Sequence, residues 1–339
     1  MYIMKLVVDK LWSDKECSSR KGTYITNDDI RYPIITEDID IYWKDGEREI
    51  LLCKFRKNVI SDDLIQLGWD SYKDLAKASR GRGAAAGPID SSNNYWKNKK
   101  VAETSKWATK YITSSGNVSK MRVNNQVASN PIGFFESTKT LGINQPCRLT
   151  HYTRTNFEKY NEGQPFIQKI NSLFHELIPD SYQKQLDRAL VKPRYRIGDT
   201  CFSTVTINRN FRTAIHNDAG DFKDGFGNLT VIEEGYYHGG YTVFPQFGIA
   251  IDLRTNDFLA MDVHQLHGNT ELYETPEDIL KNKEIVSSFT DNPNVGTAGL
   301  CKKYTRLSFV CYLREKLINC EDTDIDERYL TKSGHGKIS

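Results

Sequence analysis

Residues 201–220 read CFSTVTINRNFRTAIHNDAG. The first eight form a short β segment with Asn208 at its end. A histidine and an aspartate follow two positions apart, His216 and Asp218. Side chains alternate along a strand, so residues i and i+2 share a face. Both can then face the mouth of a barrel, one histidine short of a site with two imidazoles, one carboxylate and open metal positions.

The surrounding texture sets the fold class. LTVIEEG, GGYTVFP, IAIDLRTNDFLAMD and RLSFVCYL are short apolar runs punctuated by Gly, Asn and Asp. No helical period intervenes between residue 200 and residue 276. Strands at this turn-length spacing predict a sandwich or jelly roll.

LAMDVHQLHGNTEL supplies two candidates for the missing ligand, His264 and His267. His267 is favoured: it follows the strand-like DFLAMDV and sits in HGN, a tight turn that would aim it back. His264 reads as its neighbour, His238 in YYHGG as a turn residue, and His175 as an ordinary helix residue. The late strand TRLSFVCYLRE puts Arg306 and Ser308 on one face among apolar residues. A buried arginine needs a fixed anion. The distal carboxylate of 2-oxoglutarate would serve, with Ser308 adding a hydrogen bond; the bland alternative is a salt bridge. Arg314, near the strand end, reads as solvent-facing. Asn208 is either a contact to the cosubstrate or a turn residue.

The rest of the chain is less specific. DIDIYWKDGEREILLCKF alternates on both sides of Lys44-Asp45-Gly46, a hairpin signal. SDDLIQLGWDSYKDLAKAS predicts a helix capped by Ser61, followed by the loop RGRGAAAGPIDSSNN. Residues 97–122 mix Lys97, Lys99, Lys100, Lys106, Lys110, Lys120 and Arg122 with Trp107 and Tyr111. They read as a solvated helical face or as a phosphate-contacting face with aromatic platforms. Apolar residues at 166, 167, 170, 173, 174 and 177 give an amphipathic helix. Residues 273–303 interrupt the strands as an insertion, and 316–339 form a polar tail.

Composition excludes little. The chain has 339 residues and a net charge of +2, so whole-molecule electrostatics demand no nucleic acid. No run approaches the roughly 18 apolar residues that cross a bilayer. Seven scattered cysteines without CxxC argue against a disulfide framework and for a reducing compartment, cytoplasmic or nuclear. No obligate protein partner is evident.

The stretch from FSTVTINRNFRTAIHNDAGDF through LAMDVHQLHGNTEL to TRLSFVCYLRE resembles the oxygenase domain of the TET/JBP family, most closely the J-binding-protein thymine hydroxylase branch and its phage and viral relatives. The similarity is strong over 200–314. It implies an α+β fold, a double-stranded β-helix (jelly roll, cupin-like) core with supporting N-terminal helices and strands. Residues 1–150 would be the supporting region and 151–315 the oxygenase unit. It further implies an Fe(II)- and 2-oxoglutarate-dependent dioxygenase that uses O2, with ascorbate helpful. Such an enzyme hydroxylates the 5-methyl group of thymine or 5-methylcytosine in DNA and releases succinate and CO2. His216, Asp218 and His267 would hold iron, and Arg306, Ser308 and Asn208 the cosubstrate. A base in a duplex must be flipped out to reach such a site. Asn210, Arg212 and Asp221 are candidates for its pocket, and Arg80 and Arg82 of the RGRG loop for phosphate contact. The INRN and RLS spellings are also similar to AlkB-type demethylases, which share the scaffold; a protein or small-molecule hydroxylase is a further alternative.

Overall fold

Alternation in TRLSFVCY, residues 305–312, divides the molecule into layers. Leu307, Phe309 and Cys311 point to one side and join a core built with helices, while Arg306, Ser308, Val310 and Tyr312 line a cleft on the other. Neighbouring strands repeat the division: Val205 and Ile207 go to the helical side, Thr206 and Asn208 to the cleft. The period-two rule thus assigns core and site within the same strands.

The computed structural model describes residues 3–75, 77–79, 81–89, 100–140, 143–286, 288–289 and 302–321. The first strands are β1 (Met4–Val8), β2 (Ile39–Asp45), β3 (Arg48–Arg56), β4 (Ala78–Ser79), β5 (Val101–Ser105) and β6 (Ala108–Tyr111). Then come β7 (Val127–Phe135), β8 (Thr138–Thr140), β9 (Ile143–Gln145) and β10 (Arg148–Leu149). The later ones are β11 (Thr204–Arg209), β12 (Gly227–Glu234), β13 (His238–Gly239), β14 (Thr242–Phe244) and β15 (Ile249–Ile251). Last are β16 (Phe258–Met261), β17 (Gly268–Asn269), β18 (Leu272–Tyr273) and β19 (Thr305–Tyr312).

The large sheet runs β1-β2-β3-β16-β12-β19-β11-β7-β10, with β4 also on β7. A smaller sheet, β15-β14-β17, lies across from it. Phe244, Phe247, Ile249 and Ile251 of the smaller sheet and its turn pack on Leu229, Val231, Leu259 and Met261 of the larger one. This is a jelly-roll core. The N-terminal strands continue its sheet, because β3 pairs with β16 from Phe258↔Arg56 to Met261↔Cys53. The β2–β3 connection is the two-residue loop Gly46–Glu47. Gly46 alone carries positive φ there, at 63°, the arrangement of a type II′ hairpin.

The helices are α1 (Asp14–Arg20), α2 (Asp62–Tyr72), α3 (His151–Thr155), α4 (Phe157–Glu162), α5 (Gln164–Leu177), α6 (Pro179–Leu190) and α7 (Pro276–Asn282). Phe166, Ile167, Ile170, Leu173 and Phe174 form the buried face of α5. Phe166 meets Phe309 edge-on at 5.0 Å and fills the space beside Gly68 of α2, where a Cβ would lie 3.0 Å from its ring. None of these helices is long and apolar enough to cross a membrane.

Four expectations need correction. The segment expected as a basic helical face is a hairpin from residue 101 on, β5 paired with β6, while Lys97 and Lys99 lie outside the described residues. The helix after Ser61 stops at Tyr72, because residues 78–79 are drawn into pairing with β7. Ser61 holds the N-cap position without a side-chain capping bond. Cys147 and Cys320 form a disulfide, which spacing could not reveal because they are 173 residues apart in sequence. That bond also removes the cysteine argument for a reducing compartment. Of the insertion, Pro276–Asn282 is helical, and residues 290–301 lie outside the described residues, as does the tail from 322.

Phe166→Ala should cost about 3–5 kcal/mol, the range for emptying a buried phenylalanine site. The urea midpoint measures it, and a loss under about 1 kcal/mol would contradict the described packing.

Candidate active site

His216 and His267 face each other across an isolated antiparallel bridge, with His216 N–H donating to His267 C=O at 2.9 Å and His267 N–H returning the bond at 2.8 Å. The two rings stand 4.4 Å apart, centroid to centroid. Asp218 follows in a loop whose N–H donates to Val263 C=O at 2.9 Å. Its carboxylate then lies 3.7 Å from His216 Nε2 and 3.6 Å from His267 Nε2. One donor atom from each of the three falls within 4.8 Å of the others. His267 is therefore in an extended bridge rather than the tight turn expected, and the bridge, not a regular strand, aligns His216.

The hydrogen bonds fix the tautomers. Nδ1 of His216 faces Ala214 C=O at 2.8 Å and Nδ1 of His267 faces Gln265 C=O at 3.0 Å. A carbonyl only accepts, so each Nδ1 carries the proton and each Nε2 keeps its lone pair for a metal. Burial, with His267 adjacent, pulls the His216 imidazole down to about 4. Burial alone would raise Asp218, but its contacts with His267 and His216 hold it at about 2. At neutral pH His216 is neutral and Asp218 ionised. Burial alone would lower His267, but its contact with Asp218 raises it, so a divalent cation would compete with a proton at His267.

Arg306 lines the same cavity, which has a volume of about 380 Å³. It is buried, and its Nη2 has no hydrogen-bond partner among the described residues. A buried guanidinium N–H left unpaired is costly, so this atom marks the place of an anion. Beside it Asn208 Nδ2 donates to Ser308 Oγ at 3.1 Å, and Ser129 Oγ donates to Asn208 Oδ1. The register Ser129↔Asn208↔Ser308 lines these three up across β7, β11 and β19. Asn208 is thus neither a turn residue nor a free amide: it holds Ser308 in place.

Arg82, Asp221 and Arg314 also line the cavity. Asp221 Oδ2 is buried without a partner among the described residues, and burial, with Asp218 nearby, pushes its carboxyl well above the usual range. Arg314 is not solvent-facing. It continues the even-numbered face of β19, binds both carboxylate oxygens of Glu136 at 3.1 and 2.8 Å, and contacts Tyr312 Oη at 3.2 Å. Even spacing from Arg306 could have found it; Glu136 and Ser129 gave no sequence signal.

Two expected pocket residues do not reach the cavity. Asn210, with φ 46°, accepts from Arg306 N–H at 2.7 Å and donates to Tyr304 C=O at 3.1 Å, so it fixes the backbone that carries Arg306. Arg212 pairs with Glu271 at 2.8 Å over the Tyr24 ring and lines a different groove. His264 Nε2 faces Phe222 C=O at 3.2 Å, His238 pairs with Asp278 at 3.1 Å, and Arg80 lies outside the described residues.

Two histidines and a carboxylate in a jelly-roll cavity, with an arginine whose Nη2 lacks a partner among the described residues in the same cavity, have the donor chemistry of an iron- and 2-oxo-acid-dependent oxygenase. Residues 131–315 match Tet_JBP, the oxygenase domain of the 2OGFeDO superfamily, and the chain belongs to this family. It is 35% identical over 178 residues to the bifunctional helicase and thymine dioxygenase JBP2 of Trypanosoma cruzi, covering 52% of this chain and 14% of that protein. It is 34% identical over 140 residues to the thymine dioxygenase JBP1 of Trypanosoma brucei brucei, covering 41% and 16%. The chain thus spans a small part of the length of these relatives. A solved structure of NgTET1 in complex with 5mC DNA aligns over 95% of this chain and 100% of that one, at 10% identity and a TM-score of 0.48.

Asn210→Ala should destabilise the fold by about 1–3 kcal/mol, through a lost buried hydrogen bond and a left-handed backbone. Asn210→Gly, which relieves the backbone, should lose less; equal losses would mean that the backbone conformation contributes nothing.

Proposed function

We propose that this protein is an Fe(II)- and 2-oxoglutarate-dependent dioxygenase that hydroxylates the 5-methyl group of a pyrimidine in DNA, with thymine as the base. The observation that carries it is the sharing of one cavity by the His216–Asp218–His267 trio and the unpaired Arg306 guanidinium. Thymine is favoured because the relatives named above are thymine dioxygenases. Residues 151–315 carry the chemistry in this reading and 1–150 support them.

Iron and 2-oxoglutarate, when bound, supply the oxidising chemistry: O2 is consumed, the 2-oxo acid leaves as succinate and CO2, and the methyl group gains one oxygen atom. The chain's own part is to hold, orient and shield. His216 and His267 present Nε2 because their Nδ1 protons are committed to carbonyls. Arg306 takes the distal carboxylate of the cosubstrate, with Ser308 beside it and Asn208 bracing Ser308. That fixes the long axis of the cosubstrate and leaves the mouth for the methyl-bearing base. A base in a stacked duplex cannot enter, so it is flipped out. Asp221, with an unpaired oxygen, and Arg314 face its polar edge, and Arg82 faces its phosphate. DNA and ascorbate, which keeps the iron reduced, are the partner and helper of this reading.

Mass spectrometry of nucleosides, after incubation of DNA with protein, Fe(II), ascorbate and 2-oxoglutarate, tests it. Gain of one oxygen on thymidine is the expected result. Gain on 5-methylcytosine alone would overturn the choice of base, and gain on neither would overturn DNA as the substrate. Asp218→Ala should abolish Fe(II) retention and turnover. Arg306→Ala should raise the 2-oxoglutarate KM by about 10–100-fold, the worth of a hydrogen bond to a charged group. A KM within about twofold of wild type would remove Arg306 from the cosubstrate site.

A further inference from the structure

A second cavity, about 550 Å³, opens beside the active cleft and shares Gly81, Arg82, Ser129 and Arg314 with it. Its construction follows from two very short strands. β4 pairs with Val127 and Ala128 at one end of β7, and β10 with Phe134 and Phe135 at the other. Ser129, Asn130 and Pro131 between them line the chamber, with Lys77–Ser79 and the α3 segment around them. Asn130 Nδ2 ties the Lys77 segment in place by donating to Leu75 C=O at 3.0 Å and Lys77 C=O at 2.5 Å.

The charges around this chamber do not balance. Its acidic residue Asp74 is committed to Lys159 at 2.5 Å, and Glu136 occupies Arg314. Lys77 and Arg82 form no ion pair among the described residues, and burial pulls the Arg82 guanidinium down although Tyr312 and Asp218 of the adjoining cleft act against it. Two cations without an ion pair, an exposed Lys77 and a half-buried Arg82, make the rim of this cavity favourable to an anion. The carboxylates of 2-oxoglutarate belong at the trio and at Arg306 in the adjoining cleft, so this anion is a different one. The volume is in the range of about 300–1,000 Å³ typical of organic ligands, well beyond a bare phosphate. The four shared lining residues place an occupant of the chamber next to the occupant of the cleft.

We propose that this chamber is a second nucleotide subsite, which takes the nucleotide adjoining the flipped one on the same strand, with the phosphate that joins the two facing Arg82 and Lys77. The inference rests on the DNA reading above and extends it. Pro131 and Phe135 provide apolar contact for sugar and base, and Thr155 and Asn156 polar contact. Recognition is then of two linked nucleotides, and a lone thymidine monophosphate leaves the chamber empty.

The test uses the full chain with Fe(II), ascorbate and 2-oxoglutarate, on thymidine monophosphate, dithymidine phosphate and a longer single-stranded oligonucleotide. Lys77→Glu reverses the charge at an exposed position, and Thr155→Trp fills the chamber from an exposed position. Both variants should raise the oligonucleotide KM by about tenfold or more and keep the wild-type thermal midpoint and 2-oxoglutarate affinity. Lys77→Glu should also flatten the salt dependence of oligonucleotide binding, with a slope smaller by about one. The monophosphate should be a far poorer substrate than the dinucleotide. If wild type oxidises oligonucleotides and both variants match it in KM, the subsite is overturned and the DNA reading stands. If wild type oxidises none of them, the DNA reading falls and takes the subsite with it.

Discussion

The reciprocal backbone bonds between His216 and His267, 2.9 and 2.8 Å, are the constraint on which the site depends. They bring together two segments far apart in sequence, and the Asp218 N–H bond to Val263 locks the loop between them. Three side chains then converge without being on one regular strand. The segment after His267 enters the smaller sheet directly, since Gly268 and Asn269 pair with β14. The trio is thereby anchored to the jelly roll and not to a mobile connection. A metal centre gains from such anchoring because ligands held in place need little ordering when the cation arrives.

The same economy governs β19. Its odd residues bury Leu307, Phe309 and Cys311 against α5 and its neighbours, and its even residues offer Arg306, Ser308, Tyr312 and, just beyond the strand, Arg314 to the cleft. Core packing therefore sets the height and spacing of the polar groups. Asn210 adds a second restraint by bonding the Arg306 backbone, and Asn208 a third by bracing Ser308. The unpaired guanidinium nitrogen and the trio thus share one cavity.

Most of this was legible in the sequence where chemistry and period coincide. Arg306 sits in an alternating strand, so spacing puts it on the cleft face with Ser308, and the turn-length spacing of strands points to the jelly roll. His216 and Asp218 do converge, but through a bridge and a loop and not through the shared strand face expected of them. The tight turn expected around His267 does not form: what sets it apart from His264 is its bridge to His216, which no local pattern encodes. Asn210 and Arg212 were chosen for nearness in sequence, yet Asn210 turns to the β19 backbone and Arg212 to Glu271. Long-range partners were invisible for the same reason. Glu136 neutralising Arg314, Ser129 bonding Asn208, and Cys147 joined to Cys320 all depend on which distant segments the sheet brings together. The basic stretch 100–122 misled because its lysines carry no period, and a two-stranded hairpin exposes them as readily as a helix.

Charge is distributed with the chemistry. Among the described residues Asp74 and Glu136 are paired with Lys159 and Arg314, while one oxygen of Asp221 and one nitrogen of Arg306 are buried without a hydrogen-bond partner. The central claim is that the trio and Arg306 make one site for iron and 2-oxoglutarate. Visible absorption under anaerobic conditions tests it most directly, since charge transfer from Fe(II) to a chelated 2-oxo acid gives colour only when both are bound together. The account predicts a band that needs both components, disappears in His267→Ala, and requires more 2-oxoglutarate in Arg306→Ala. A band that persists unchanged in His267→Ala, or no band in the wild type, would contradict it.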